Sequence, residues 1–450
     1  MGTTAQFRPT FGLIKTVGAA LALAGLVAGC SVAGASPSAS QASPSASQAS
    51  PSAAGSPSPS AVASASASTS PSAAPATIGP APSGTWTSLK WVDEHNAFPQ
   101  TPTPSTGDGG TQNSLFGWSK GYIGFRTAYD ITTGNSPAKT ATVSTSSGEG
   151  VHWTAGRPMD IEGLKGAIFV SEVIEGPSGL LALGFYGATA CGGPTTVDAF
   201  WTSLDGSSWT RVALSGDFAS ASIYTVDGGS VGFIATGTLK DGTTQAIWTS
   251  TDGRNWRRAA VPTVATGTFV LNGATGFASG YVVGGAIQGD EGCGGFNLLT
   301  PSLWWSATGS SWTRVKLPGA TPASDATMTV TRISDHVLMA IAWESNGAGV
   351  TTQTVWYTSN GHDWKLVASP SALLGGTVVS DGRRGLVVST PPESGMPVVA
   401  TVGDDLSVTP LVETGAVPGA NGSGIFAVGP AGVVCLSNDG TSLSLGVPAE

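Results

Sequence analysis

From about residue 84 to the end, apolar positions come in short runs of roughly four to seven residues, and Gly-rich turns separate them. Residues 267–271 (GTFVL) are the first such run of one unit, 280–286 (GYVVGGA) the second, and 302–306 (SLWWS) the third. A turn at 307–311 then leads into a fourth, at 312–317. Runs this short, rich in β-branched and aromatic residues and bounded by Gly, predict β-strands throughout.

The pattern repeats. The phrase IWTSTDGRNW at 247–256 returns as FWTSLDGSSW at 200–209, WWSATGSSW at 304–312 and VWYTSNGHDW at 355–364. The closing residues Trp209, Trp256, Trp312 and Trp364 stand roughly fifty residues apart, the period of one supersecondary unit repeated about an axis. Four short strands per unit predict an all-β, seven-bladed β-propeller. The second strands of the seven units are expected at 121–125, 180–185, 231–237, 280–286, 337–343, 385–389 and 432–436. The degenerate first and sixth units leave six or eight blades open. The last unit has room for only three strands, so residues 84–92 (GTWTSLKWV) are expected to supply its outer strand and close the ring.

Ser203-Leu204-Asp205-Gly206-Ser207-Ser208-Trp209 and Ser250-Thr251-Asp252-Gly253-Arg254-Asn255-Trp256 resemble the Asp-box, or bacterial neuraminidase repeat, shortened by one residue. Thr308 and Asn360 stand in the Asp position of the next two copies, and 147–153 is a looser version. The resemblance implies Asp-box-like hairpins between third and fourth strands, on the face away from any ligand site. Asp and Ser oxygens would cap backbone N–H groups there, with Gly in the left-handed position. Trp201, Trp248, Trp304 and Trp356, each two residues before the hydroxyl, are expected in the core, as are the closing tryptophans.

The same resemblance brings in sialidases, which hold a carboxylate sugar with three arginines and use a Tyr–Glu pair plus an Asp. Arg211, Arg254, Arg257, Arg258 and Arg314 fall in box turns or outer strands, Arg157 at the end of another, and Arg383 and Arg384 in a Gly turn. Only Arg126 and Arg332 are expected on inner strands, so the sialidase set is not assembled. The repeat also resembles that of photosystem-assembly propellers, which implies a protein partner.

Composition narrows the class. Only 10% of residues are charged and the formal net charge is −9, so the surface repels phosphate backbones and nucleic acid is not expected as a partner. Residues 1–15 carry Arg8 and Lys15 and no acid, and 17–28 (VGAALALAGLVA) are apolar but too short to span a bilayer. Val27-Ala28-Gly29-Cys30 resembles the bacterial lipobox, which implies cleavage after residue 29, lipidation of Cys30 and anchoring on the outer side of the cytoplasmic membrane. Residues 30–83 are almost wholly Ser, Ala and Pro without a charge, the composition of a disordered linker. The domains expected are thus a signal at 1–29, a tether at 30–83 and the propeller at 84–450.

Candidate chemistry is sparse. His95, His152, His336 and His362 stand singly, so neither a metal site nor a cofactor is expected. Gly228-Gly229-Ser230-Val231-Gly232 matches the nucleophile elbow by letter but sits in a hairpin with no following helix. Cys191 and Cys293 share a Cys-Gly-Gly context in long loops after the second strands of units two and four. A disulfide between them is expected, the alternative being two exposed thiols. Cys435 lies within a strand and is expected as a buried free thiol.

Asp130, Asp290, Glu291 and Glu344 are expected in loops after second strands, where a glycoside hydrolase would place its two carboxylates. With Tyr129, Phe296 and Trp343 they are the binding candidates, and each has an ordinary alternative as loop filler or blade packing. The function expected is non-catalytic binding of a protein or glycan by a monomeric cell-surface lipoprotein. The alternative is a glycoside hydrolase of sialidase-like fold.

Overall fold

The computed structural model describes residues 86–94, 109–130, 140–148, 150, 152–164, 167–188, 195–277, 280–291, 297–345, 351–368, 373, 377–389, 398–415, 424–437 and 442–449. The expected signal, the tether and Cys30 lie outside these residues. Among those described, no helix is long and apolar enough to cross a membrane.

The described strands form seven sheets, six antiparallel of four strands and one mixed of five. Each sheet is a blade of a β-propeller. We number the blades by residues 109–158, 167–211, 222–259, 268–315, 325–366, 377–410 and, for blade 7, 424–449 with 88–94 and 412–415. The inner strand of each blade lies beside that of the next, and blade 7 returns to blade 1. All seven second strands fall where the apolar runs place them, from Gly121–Asp130 to Gly432–Ser437. The reason is local: a Gly-led apolar run buried on both faces reads as a central strand wherever it occurs.

The ring closes as expected but with an extra strand. Ser88–Glu94, rather than 84–92, pairs antiparallel with Leu443–Ala449 as the fourth strand of blade 7. A fifth strand, Val412–Gly415, then pairs parallel with Ser88–Trp91. The same segment bonds to blade 6 just before it, where the Leu411 N–H donates to the Val399 carbonyl at 2.9 Å. One stretch of chain therefore staples blade 6 to the closing strand. Across the other side of blade 7, Tyr122 of blade 1 donates its hydroxyl to the Gly432 carbonyl at 2.9 Å.

The core lies between blades. Trp201, Trp248 and Trp356, the third-strand tryptophans of blades 2, 3 and 5, are fully buried. Each also pins the segment leading into its own blade. The indole N–H groups donate to the Asp160 carbonyl at 2.8 Å, the Asp217 carboxylate at 3.2 Å and the Pro318 carbonyl at 2.7 Å. A buried indole needs such an acceptor.

At one end of the ring the inner strands touch backbone to backbone. A Cβ on Gly117 would stand 1.5 Å from the Val428 carbonyl oxygen, and one on Gly276 would stand 2.6 Å from the Gly229 nitrogen. Blades 7 and 1, and blades 3 and 4, approach this closely only because no side chain intervenes. The inner-to-second-strand hairpins and the box turns lie at this end. The second strands end and the third strands begin at the other.

Candidate functional site

The box turns at the glycine end are self-contained. In blade 2 the Ser203 hydroxyl accepts the Gly206 N–H at 2.9 Å. One Asp205 carboxylate oxygen accepts the Ser207 and Ser208 N–H groups at 2.8 and 2.9 Å. Trp209 donates its indole N–H to the Gly206 carbonyl at 2.7 Å, and Gly206 takes φ 74°. Blade 3 repeats this with Ser250, Asp252, Gly253 and Trp256, and blade 5 with Thr358, Asn360, Gly361 and Trp364. Backbone donors hold the Asp205 carboxyl down at about 2 against the opposing effect of partial burial. Blade 4 is weaker: the Thr308 hydroxyl accepts one backbone N–H, that of Ser310 at 3.3 Å, and shares a hydrogen bond with the Ser310 hydroxyl at 2.6 Å. Its Trp312 bonds instead to the Ala260 carbonyl at 2.7 Å. Even the loose copy in blade 1 keeps one bond, from the Trp153 indole to the Gly150 carbonyl at 3.1 Å. In blades 2, 3 and 5 the capping Ser, Thr, Asp and Asn oxygens are spent on the turns themselves.

The opposite end carries the candidate site, and here several expectations change. Asp130, Asp290, Glu291 and Glu344 are not in loops. They lie within the second strands Gly121–Asp130, Gly280–Glu291 and Val337–Ser345, as does Tyr129. In blades 1 and 5 the ladder pairing continues through these residues, whereas in blade 4 it breaks after Gln288 and resumes at Glu291↔Asn297. Phe296, Cys191 and Cys293 lie outside the described residues. Arg126, expected on an inner strand, is on the second strand of blade 1, where burial lowers its pKa.

Trp343 and Glu344 part company, as consecutive strand residues must. Trp343 packs half-buried against the cluster between blades 5 and 6 that contains Ile341, Val355 and Leu373. Its buried indole N–H has no hydrogen-bond partner among the described residues. Glu344 is half-buried, and desolvation raises its carboxyl pKa. Cys435 is buried and free, with its thiol pushed up to about 12 by burial. Among the described residues no cluster of His, Cys, Asp or Glu could hold a metal.

A set of residues that the sequence reading missed organises this end. The inner strands of blades 3 and 4 each carry a bulge, between Ile223 and Thr225 and between Leu271 and Gly273. A bulge leaves a backbone N–H without its ladder partner. In both cases the preceding blade supplies the acceptor. The Asp198 carboxylate of blade 2 accepts the Ile223 N–H at 3.1 Å, and the Gln245 side-chain oxygen of blade 3 accepts the Leu271 N–H. The Gln245 amide also donates to the Phe269 carbonyl at 2.7 Å. Asp198 and Gln245 occupy one repeat position, five residues before the box serine. Burial raises the Asp198 pKa, with the Ile223 N–H opposing it.

Around these struts lies an apolar rim. Val197 (49% exposed), Tyr224 (43%) and Leu298 (41%) stand at the same end of blades 2, 3 and 4. The Tyr224 hydroxyl is hydrogen-bonded with that of Thr238 at 3.0 Å, which orients its ring. Residues 189–194 and 292–296, with the two cysteines, connect strands of the outer two of these blades.

The chain matches no protein-family model and no curated protein. Solved structures of similar fold include the polysaccharide lyase Uly1, with a TM-score of 0.43 and 10% identity, covering 79% of this chain and 92% of that one. The α-L-arabinanase of Penicillium chrysogenum gives 0.34 and 14%, covering 73% and 98%. The Bombyx mori GH32 β-fructofuranosidase BmSUC1 gives 0.27 and 11%, covering 75% and 89%. These likenesses are of fold.

Proposed function

We propose that this chain is a lipid-anchored recognition propeller of the Asp-box type, tethered through Cys30 and binding a protein partner on the loop end of blades 2–4. The apolar rim of Val197, Tyr224 and Leu298 carries the reading. Large side chains left exposed on three consecutive blades, over a backbone that cross-blade struts hold in place, make a preorganised contact surface. Aliphatic residues at two of the three positions favour a protein surface over a sugar. A Cys191–Cys293 bridge would span blade 3 and stiffen the same region.

Tyr224 favours a second reading, a glycan binder, since an oriented half-exposed aromatic ring also suits stacking on a sugar face. Co-isolation in mild detergent separates the two. The lipidated chain is expected to bring a stoichiometric protein from its own membranes, and a Val197→Ser/Tyr224→Ala/Leu298→Ser variant to lose it. A variant that retains the protein, or release of sugars from wall polysaccharide by the purified chain, would contradict the proposal.

A further inference from the structure

The repeats provide an internal comparison that singles out one basic residue. Two positions after the closing Trp, blades 2, 3 and 4 carry Arg211, Arg258 and Arg314. Arg211 donates through Nη1 to the Glu162 carbonyl at 2.6 Å, and its backbone N–H bonds to the Asp160 carboxylate at 3.2 Å. Arg258 forms an ion pair with Asp217 at 3.1 Å. Both sets of partners lie in the segment leading into the blade, residues 159–166 and 212–221. The matching segment of blade 4, residues 260–267 (AVPTVATG), contains no acid.

Arg314 folds back instead. Its guanidinium lies 5.9 Å from the centre of the Trp304 ring, and Nη2 donates to the Ser302 hydroxyl at 3.1 Å. There it forms one side of an open surface cavity of about 380 Å³, with Lys316, Thr300, Pro301 and Ser302 among the other lining residues and, among the described residues, no acid. The cavity has a backbone cause. The third strand pairs with the outer strand at Leu303↔Val315 and next meets the chain at Leu299↔Ala323. Residues 300–302 between these contacts pair with the second strand on one side but with no strand on the other, and Pro301 has no N–H to recruit one across the gap.

We propose that this cavity is an oxyanion site, taking a phosphate or carboxylate group between Arg314 and Lys316, with the Thr300 hydroxyl as a further donor, while Ser302, which donates to the Thr300 carbonyl, holds Arg314 in place. A planar guanidinium already oriented over an aromatic ring suits two-pronged contact with such a group. In a chain of net charge −9, two cations in one acid-free cavity concentrate positive potential. The site lies at the blade edge and does not depend on the rim of blades 2–4.

The test is thermal unfolding of the full mature chain at constant ionic strength, titrated with inorganic phosphate and separately with glucuronate. A saturable rise in Tm is expected in the wild type and in Arg258→Gln, the matched control whose arginine is already ion-paired. The Arg314→Gln/Lys316→Gln variant should need at least about tenfold more anion for the same rise. Tighter response to glucuronate would point to a uronate polymer. Retention on phosphatidylglycerol but not phosphatidylcholine vesicles, lost in the double variant, would point to a lipid headgroup. An equal response in the double variant overturns the site, as does no response to either anion up to about 50 mM.

Discussion

The carboxylate of Glu413 joins Trp91 to Val399. It accepts the Trp91 indole N–H at 3.3 Å through one oxygen and the Val399 backbone N–H at 2.6 Å through the other. Trp91 lies on the closing strand and Val399 on the third strand of blade 6, so a single side chain rivets the seam. Removing two hydrogen bonds and their packing in Glu413→Ala should cost about 2–3 kcal/mol, visible in chemical unfolding. Glu413→Gln keeps one acceptor and sheds a desolvated charge, so it should recover half or more. Equal stability of Glu413→Ala and wild type would show that the seam is held elsewhere.

Asp198 should respond to pH in the unusual direction for a carboxylate. Burial raises its folded-state pKa above the ordinary Asp value. The native state then binds the proton more readily, and stability from this group declines as pH rises from the ordinary value through the raised one. Asp198→Asn retains an acceptor for Ile223 without the charge, so at pH 7 its Tm should equal or exceed wild type, with a flatter pH profile. Asp198→Ala, which strands the Ile223 N–H, should be less stable by about 1–3 kcal/mol.

The weak turn of blade 4 can be repaired from its own repeat. Thr308→Asp places a carboxylate where Asp205 and Asp252 cap two backbone N–H groups each, and should add about 0.5–1.5 kcal/mol. Since the Asp205 carboxyl is held down at about 2, the stabilisation that such turns provide is complete above the ordinary Asp value. It is lost as pH falls towards 2. The gain from Thr308→Asp should vanish over the same window, read from unfolding curves at pH 2.5 and 7.

Thiol titration addresses the cysteines. Cys435 is buried, with its thiol pushed up to about 12, so the native chain should react slowly there. After unfolding without reductant, the lipidated chain should release one thiol if Cys191 and Cys293 are bridged. Three would show them free.

How much of this was legible in the chain follows from what each feature depends on. The seven second strands were readable because a buried strand shows its burial in its own residues, as in Leu180–Leu183 or Val282–Val283. The fifth strand of blade 7 was not. Val412–Gly415 has no apolar alternation and owes its state to the parallel partner at Ser88–Trp91, far away in sequence. Glu344 looked like a loop residue because polarity returns before its strand's pairing ends. Asp198 and Gln245 carried a usable signal, a polar residue five positions before the box serine, but its meaning depends on bulges in the next blade. The cavity beside Arg314 was visible only as a missing acid in 260–267.

The most direct test of a contact surface on the loop end of blades 2–4 is amide hydrogen exchange of the chain alone and with its co-isolated partner. Protection on binding should concentrate at 195–198, 222–225 and 297–299, with the box turns at 203–209 and 250–256 unchanged. Protection confined to the box turns, at the glycine end of the ring, would place recognition on the opposite face and contradict the proposal.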